Sequence, residues 1–284
     1  MGGFWWSALM WLAVMMGIAS SCADAQNAVE RGEYLVNGIL ACGLCHTPRN
    51  ADGALDMSKQ LSGGSQTWDR PSYRVKGSNI TPDDVTGIGT WSVEGIRRAI
   101  TGGVRPNQVP LAPVMPSNFY RILTAQDLDA VIAYLRSVPP VRNEVQTPEY
   151  KSDMPVAPYP GADGPMTADD LRDPVKLGFY LATLGHCMLC HTPSVDGRPD
   201  YIARHGKGGV VFRGPFGEVR SSNITSHKTA GLGDWTDAQI IRAIRMRISR
   251  DGRRLKVMPH NYARLTDNDV NAIVAWLRTI PPLE

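Results

Sequence analysis

Cys42-Gly43-Leu44-Cys45-His46 and Cys187-Met188-Leu189-Cys190-His191 are two copies of one five-residue pattern, 145 positions apart. The chain has five cysteines, and these two motifs use four of them. A disulfide framework spreads its cysteines to close many loops, whereas a repeated C-x-x-C-H marks a repeated site.

Working outward from the motifs, the flanking residues repeat as well. Tyr34-Leu35 matches Tyr180-Leu181, and Ser78-Asn79-Ile80-Thr81 matches Ser222-Asn223-Ile224-Thr225 at an offset of 144. Trp91 matches Trp235, and Val114-Met115-Pro116 matches Val257-Met258-Pro259 at 143. Ala133 to Pro140 matches Ala275 to Pro282 at 142, so the chain reads as a tandem duplication. The implied organisation is a first domain at 26–140, a linker at 141–173 and a second domain at 174–284. The linker contains Pro148, Pro155, Pro158, Pro160 and Pro165, a composition that predicts a semi-rigid spacer.

Within each copy the periodicity predicts helices. Val29 to Leu40 and Val175 to Leu184 precede the cysteines. Thr124 opens a helix carrying Leu128, Val131, Ile132 and Leu135 at i, i+3, i+4 and i+7, and Thr266 opens its counterpart with Val270, Ile273, Val274 and Leu277. Each stops before a Pro-Pro pair. A further helix follows Ser92 and another Thr236. No clear strand signal is present, so the expected fold class is all-α.

Phe4 to Ile18 is apolar, short, and followed by small residues ending in Ala23-Asp24-Ala25, which predicts an export signal at 1–25 with cleavage after Ala25. Met1 to Leu12 contains no Lys or Arg, which keeps an uncleaved membrane anchor open, and Cys22 keeps a lipoprotein third. The 284 residues suffice for two domains, the composition of 43% hydrophobic and 20% charged residues is globular, and the net charge of +3 gives no support to nucleic-acid binding.

In a C-x-x-C-H site two sulfurs can add across the vinyl groups of a haem while the adjacent histidine supplies the proximal iron ligand. Zinc ribbons and redox dithiols also use C-x-x-C, but a matched later methionine serves neither. The expected cofactors are therefore two covalent haem c groups. Cys42 and Cys45 would hold the first and Cys187 and Cys190 the second, with His46 and His191 as iron ligands. His46 is the first copy's only histidine, and of its methionines Met57 and Met115 only Met115 has a counterpart, so Met115 and Met258 are the expected sixth ligands. Met57, Met154, Met166 and Met246 read as core packing. His186, His205, His227 and His260 have no first-copy partner and read as surface or propionate-side residues.

Other repeated residues admit two readings each. Trp91 and Trp235 either donate to a propionate or are structural aromatics, and Asn79 and Asn223 either hold the loop over the haem edge or cap turns. Tyr34 and Tyr180 are expected to pack on the last helix of their own domain. Arg242 to Lys256 carries seven basic residues against Asp251, consistent with propionate partners, a docking patch for an acidic redox protein, or a solvated face.

These motifs resemble the class I cytochromes c, and more closely the cytochrome c subunits of bacterial alcohol, gluconate and sorbitol dehydrogenases. The shared stretches are Cys42 to Pro48 and Cys187 to Pro193, Asn79 to Asp83 with Thr86 to Ser92, and Val114 to Leu135. The resemblance implies two tandem helical cytochrome c domains, a periplasmic location, and electron transfer from a dehydrogenase towards an oxidase or another cytochrome. Those subunits commonly carry three haem motifs and a C-terminal membrane anchor, whereas this sequence shows two motifs. The leading expectation is a carrier with no catalysis of its own, attached to a membrane only through its N-terminal segment or a partner subunit. The rivals are a membrane-anchored diheme subunit of a terminal oxidase, a diheme peroxidase-like enzyme, and a sulfur-oxidising haem enzyme.

Overall fold

The structure is a computed structural model that describes residues 26–154 and 156–284. The expected export signal, with Cys22, lies outside the described residues.

Helix α1 (26–37) leads into the first motif, whose turn forms α2 (Gly43–His46). Then come α3 (Val93–Gly102), α4 (Ser117–Tyr120) and α5 (Ala125–Ser137). The second half repeats the order with α6 (Pro174–Leu184), α7 (Cys187–His191), α8 (Asp237–Met246) and α9 (Asp267–Leu277). Helix α1 begins and ends three residues earlier than the expected Val29 to Leu40, while the four starts expected at capping residues are observed. Ser92, Thr124, Thr236 and Thr266 each accept a hydrogen bond from the backbone N–H three residues on, a cap that contributes about 1 kcal/mol. Asp173 caps α6, with Pro174 in the first turn where its missing N–H costs nothing.

Gly32 and Gly178 explain how the first and last helices of each half meet. A Cβ at Gly32 would lie 2.0 Å from the Ala130 carbonyl oxygen, and one at Gly178 would lie 1.9 Å from that of Ala272. Only glycine allows the two backbones this approach, and it lets α1 cross α5, and α6 cross α9, in direct contact.

The all-α expectation is corrected by seven short strands among the described residues. β1 (Thr67–Arg70) and β2 (Tyr73–Lys76) form a hairpin, joined by β3 (Glu149–Tyr150) from the linker in the register Tyr73 to Tyr150. The second half has β4 (Ser194–Val195) with β5 (Arg198–Pro199), and β6 (Val211–Gly214) with β7 (Gly217–Arg220). These strands are too short and too rich in Arg, Asp and Glu for alternation to stand out. Between β4 and β5, Asp196-Gly197, both at positive φ, forms a two-residue hairpin turn.

One apolar core runs through both halves, uniting Leu35, Ile39 and Val131 with Leu181, Ile273 and Leu277. The linker is part of it. Tyr159 is 2% exposed, stacked on Phe119 at 4.7 Å between ring centres and edge-on to Tyr201 at 5.0 Å. The Pro-rich segment is thus bound along its course, by β3 at one end and by Tyr159 further on.

The expectation for the two tyrosines is also corrected. The Tyr34 hydroxyl donates to Asp269 and the Tyr180 hydroxyl to Asp127, so each reaches the last helix of the opposite half. The way the helices cross brings both hydroxyls to the opposite half across the seam.

Candidate functional site

Both motifs enter their helical turn from a residue in the left-handed region, Ala41 at φ 49° and His186 at φ 41°. One turn then places the two cysteines at i and i+3 on a shared face. All four thiols are free of disulfides. Burial pushes the Cys42 and Cys187 thiols up to about 12 and Cys190 up to about 11. A redox dithiol needs the opposite shift, since the thiolate is the reactive form. No group of three or more His, Cys, Asp or Glu side chains among the described residues is arranged to hold a metal ion, so a zinc site built on these cysteines lacks its donors.

The histidines repeat their geometry. His46 Nδ1 lies 2.7 Å from the Ser78 carbonyl oxygen and His191 Nδ1 lies 2.7 Å from that of Ser222. A carbonyl only accepts, so Nδ1 carries the proton in both rings and Nε2 keeps its lone pair for a metal. Burial lowers both imidazoles below the ordinary histidine range, which favours this neutral form.

In the second half Cys187, Cys190, His191 and Met258 line one cavity of about 1320 Å³, counted with its open mouth. Its other walls are mostly apolar, including Ile224, Trp235, Ile240 and Leu277, and Ile39 of the first half lines it too. Cys42, Ile80, Trp91 and Met115 hold the corresponding positions in the first half and pack on the same core. Two cysteine sulfurs, an imidazole with a free Nε2 and a methionine lining one mostly apolar cavity fit a covalently held haem c.

The remaining expectations divide. Met166 and Met154 pack against core clusters, whereas Met57 at 59% and Met246 at 60% exposure are surface residues, not core. His186 is not a surface histidine: it lines the cavity, and its ring faces Phe119 and Tyr120 of the first half. His205 hydrogen-bonds the Tyr159 hydroxyl at 3.0 Å inside the aromatic cluster. Asn79 and Asn223 each close a turn by accepting from the threonine N–H two residues on. Their amides also donate to Val141 O and Leu283 O, clasping the strand of chain that follows each final helix. Of the basic segment, Arg242 and Arg245 are structural, bound to carbonyls of Ser249 and Leu265. Sequence reasoning missed Ser78 and Ser222, because their contribution is a main-chain carbonyl that side-chain identity does not announce.

Residues 175–281 match the family described as Cytochrome c. Over 276 residues the chain is 28% identical to the fructose dehydrogenase cytochrome subunit of Gluconobacter japonicus, covering 89% of this chain and 53% of that protein. It is 28% identical over 299 residues to the gluconate 2-dehydrogenase cytochrome c subunit of Pantoea cypripedii, covering 95% and 64%. A diheme cytochrome c-type protein of Cereibacter sphaeroides is 29% identical over 258 residues, covering 86% and 83%. The chain thus spans between about half and two thirds of the two dehydrogenase subunits.

Proposed function

We propose that this chain is an exported diheme electron carrier that passes single electrons between a periplasmic dehydrogenase and the respiratory chain, through an oxidase or another cytochrome. Cys42 and Cys45 hold one haem c and Cys187 and Cys190 the other. His46 with Met115, and His191 with Met258, are the residues that would hold the two irons. The observation that carries this reading is the identical Nδ1-to-carbonyl bond of His46 and His191, which prepares two imidazoles for the same task. The dehydrogenase cytochromes to which the chain is similar support the nature of the donor.

Haem c supplies a one-electron couple whose potential a methionine sulfur raises relative to a second imidazole. The protein's own part would be to supply the ligand side chains and an apolar setting that excludes others. His46 and His191 are held in one tautomer, and the V-M-P loops bring the sulfurs. Internal transfer is favoured by the seam between the halves. Phe119 and Tyr120, three and four residues beyond Pro116, face His186 at 6.4 and 6.5 Å between ring centres, and Ile39 lines the second cavity.

The test is purification from a host with a haem-attachment system. The protein should carry two haems per chain, resist acid extraction of the colour, and bind carbon monoxide poorly when reduced. A colourless or zinc-loaded product, or fast turnover of hydrogen peroxide, would sink it.

A further inference from the structure

The two halves treat the loop before the methionine differently. In the first half Tyr73, Val75 and Ala112 form a small buried cluster, roofed by Trp68, Val114 and the linker residues Tyr150 and Met154. Arg105 ties this roof down through the Tyr150 hydroxyl at 2.9 Å, and Lys151 pairs with Asp69 at 3.0 Å. In the second half the matching Phe212, Val219 and Val257 instead line the cavity, together with Arg220 and Lys256.

Charge follows the same division. The loop 103–114 contains one basic residue, Arg105, whereas 247–257 contains Arg247, Arg250, Arg253, Arg254 and Lys256 against Asp251. Arg253 pairs with Asp251 at 3.7 Å. Arg250 and Lys256 meet only carbonyl oxygens, those of Asp234 and Phe216. Arg247, Arg250, Arg254 and Lys256 have no carboxylate partner among the described residues. Of the two cations that line the cavity, Arg220 pairs with Glu218 at 3.3 Å and Lys256 meets no carboxylate among the described residues, so Lys256 and the basic segment around it leave net positive charge beside an apolar opening. Such a surface is complementary to a protein whose own redox edge is rich in carboxylates.

We infer that the opening of the second site beside Lys256 and the basic segment 247–257 is the docking face for an acidic redox protein, and that the first site, whose preceding loop packs under the linker, exchanges electrons through the second. The inference rests on the reading of both motifs as haem sites. A charge-reversed variant, Arg254→Glu with Lys256→Glu, is compared in the holoprotein with Lys59→Glu plus Arg142→Glu, which changes net charge equally at exposed positions of the first half and the start of the linker.

Polyglutamate binding is followed by calorimetry, and electron exchange with hexacyanoferrate by stopped flow. The native protein should bind polyglutamate at low salt and lose it by about 0.5 M salt. The Arg254/Lys256 variant should lose about tenfold in both affinity and exchange rate while the first-half control changes little. Equal losses in the two variants, or no salt-dependent binding by the native protein, would overturn the docking face. Haem content read from the visible spectrum of the same samples keeps that outcome separate from failure of the carrier reading.

Discussion

The Tyr180 hydroxyl donates to Asp127 Oδ2 at 2.7 Å, and 146 residues earlier its counterpart Tyr34 makes the same bond to Asp269. Each hydroxyl also accepts the N–H of the opposite helix's capping threonine, Thr124 or Thr266. The halves are therefore joined by a reciprocal pair of contacts, as in a two-fold symmetric dimer whose partners share one chain.

The pair is unequal in one respect. Asp127 also receives both arms of Arg31, at 2.8 and 2.9 Å, while the position matching Arg31 in the second half is Leu177. Tyr34→Phe leaves Asp269 without its side-chain donor across the seam and should destabilise the holoprotein by about 2 kcal/mol. Tyr180→Phe should cost about 1 kcal/mol. Guanidinium unfolding checks the order, and equal costs would show that Arg31 contributes nothing.

Gly178→Ala sets two effects of opposite sign against each other. Alanine gains about 1 kcal/mol of helix propensity over glycine. Its Cβ, however, would sit 1.9 Å from a backbone oxygen of α9, and the helices must separate, at about 3 kcal/mol. The net expectation is a loss of about 2 kcal/mol and a lower Tm by calorimetry. Gly53→Ala, where a Cβ meets nothing within 4 Å but φ is +85°, is the comparison that isolates backbone strain.

Met115→Ala and Met258→Ala should each lower one of two midpoint potentials and leave the haem attached, because the cysteines and histidines are untouched. Potentiometric titration of the visible spectrum reads the potentials, and loss of half of the sulfur-to-iron charge-transfer band reads the ligand. If neither substitution altered the oxidised spectrum, both methionine assignments would fail.

His205 gives a pH dependence. Burial lowers its pKa below the ordinary histidine value, and its ring is packed between Tyr159 and Trp276. Below a pH of about 6.5 the unfolded chain takes up a proton that the folded ring resists. Its contribution to stability is therefore complete above that pH and declines as the pH falls towards the lowered folded value. His205→Gln, which installs the residue found at the matching position Gln60, should flatten the decline of unfolding free energy between pH 6.5 and 5. An unchanged profile would assign the decline to other groups.

What the sequence determined by itself was local or repeated. Thr124, Thr266, Ser92 and Thr236 announced their helices because a cap is satisfied within four residues. The C-x-x-C-H and V-M-P stretches announced two copies of a site because their chemistry is written in side-chain identity and spacing. The hairpins β1–β2 and β6–β7 were not legible, since four-residue strands dense in charge take their stability from what packs on them and show little alternation of their own.

Only the tertiary structure decided which half each tyrosine serves, because Tyr34 and Tyr180 lie on a helix face whose neighbour depends on how α1 and α6 cross α5 and α9. It alone showed that the linker roofs one loop while the matching loop stays open. Two copies of nearly the same local code acquire different surroundings because burial and charge pairing depend on the whole chain, and a single position carries no record of either.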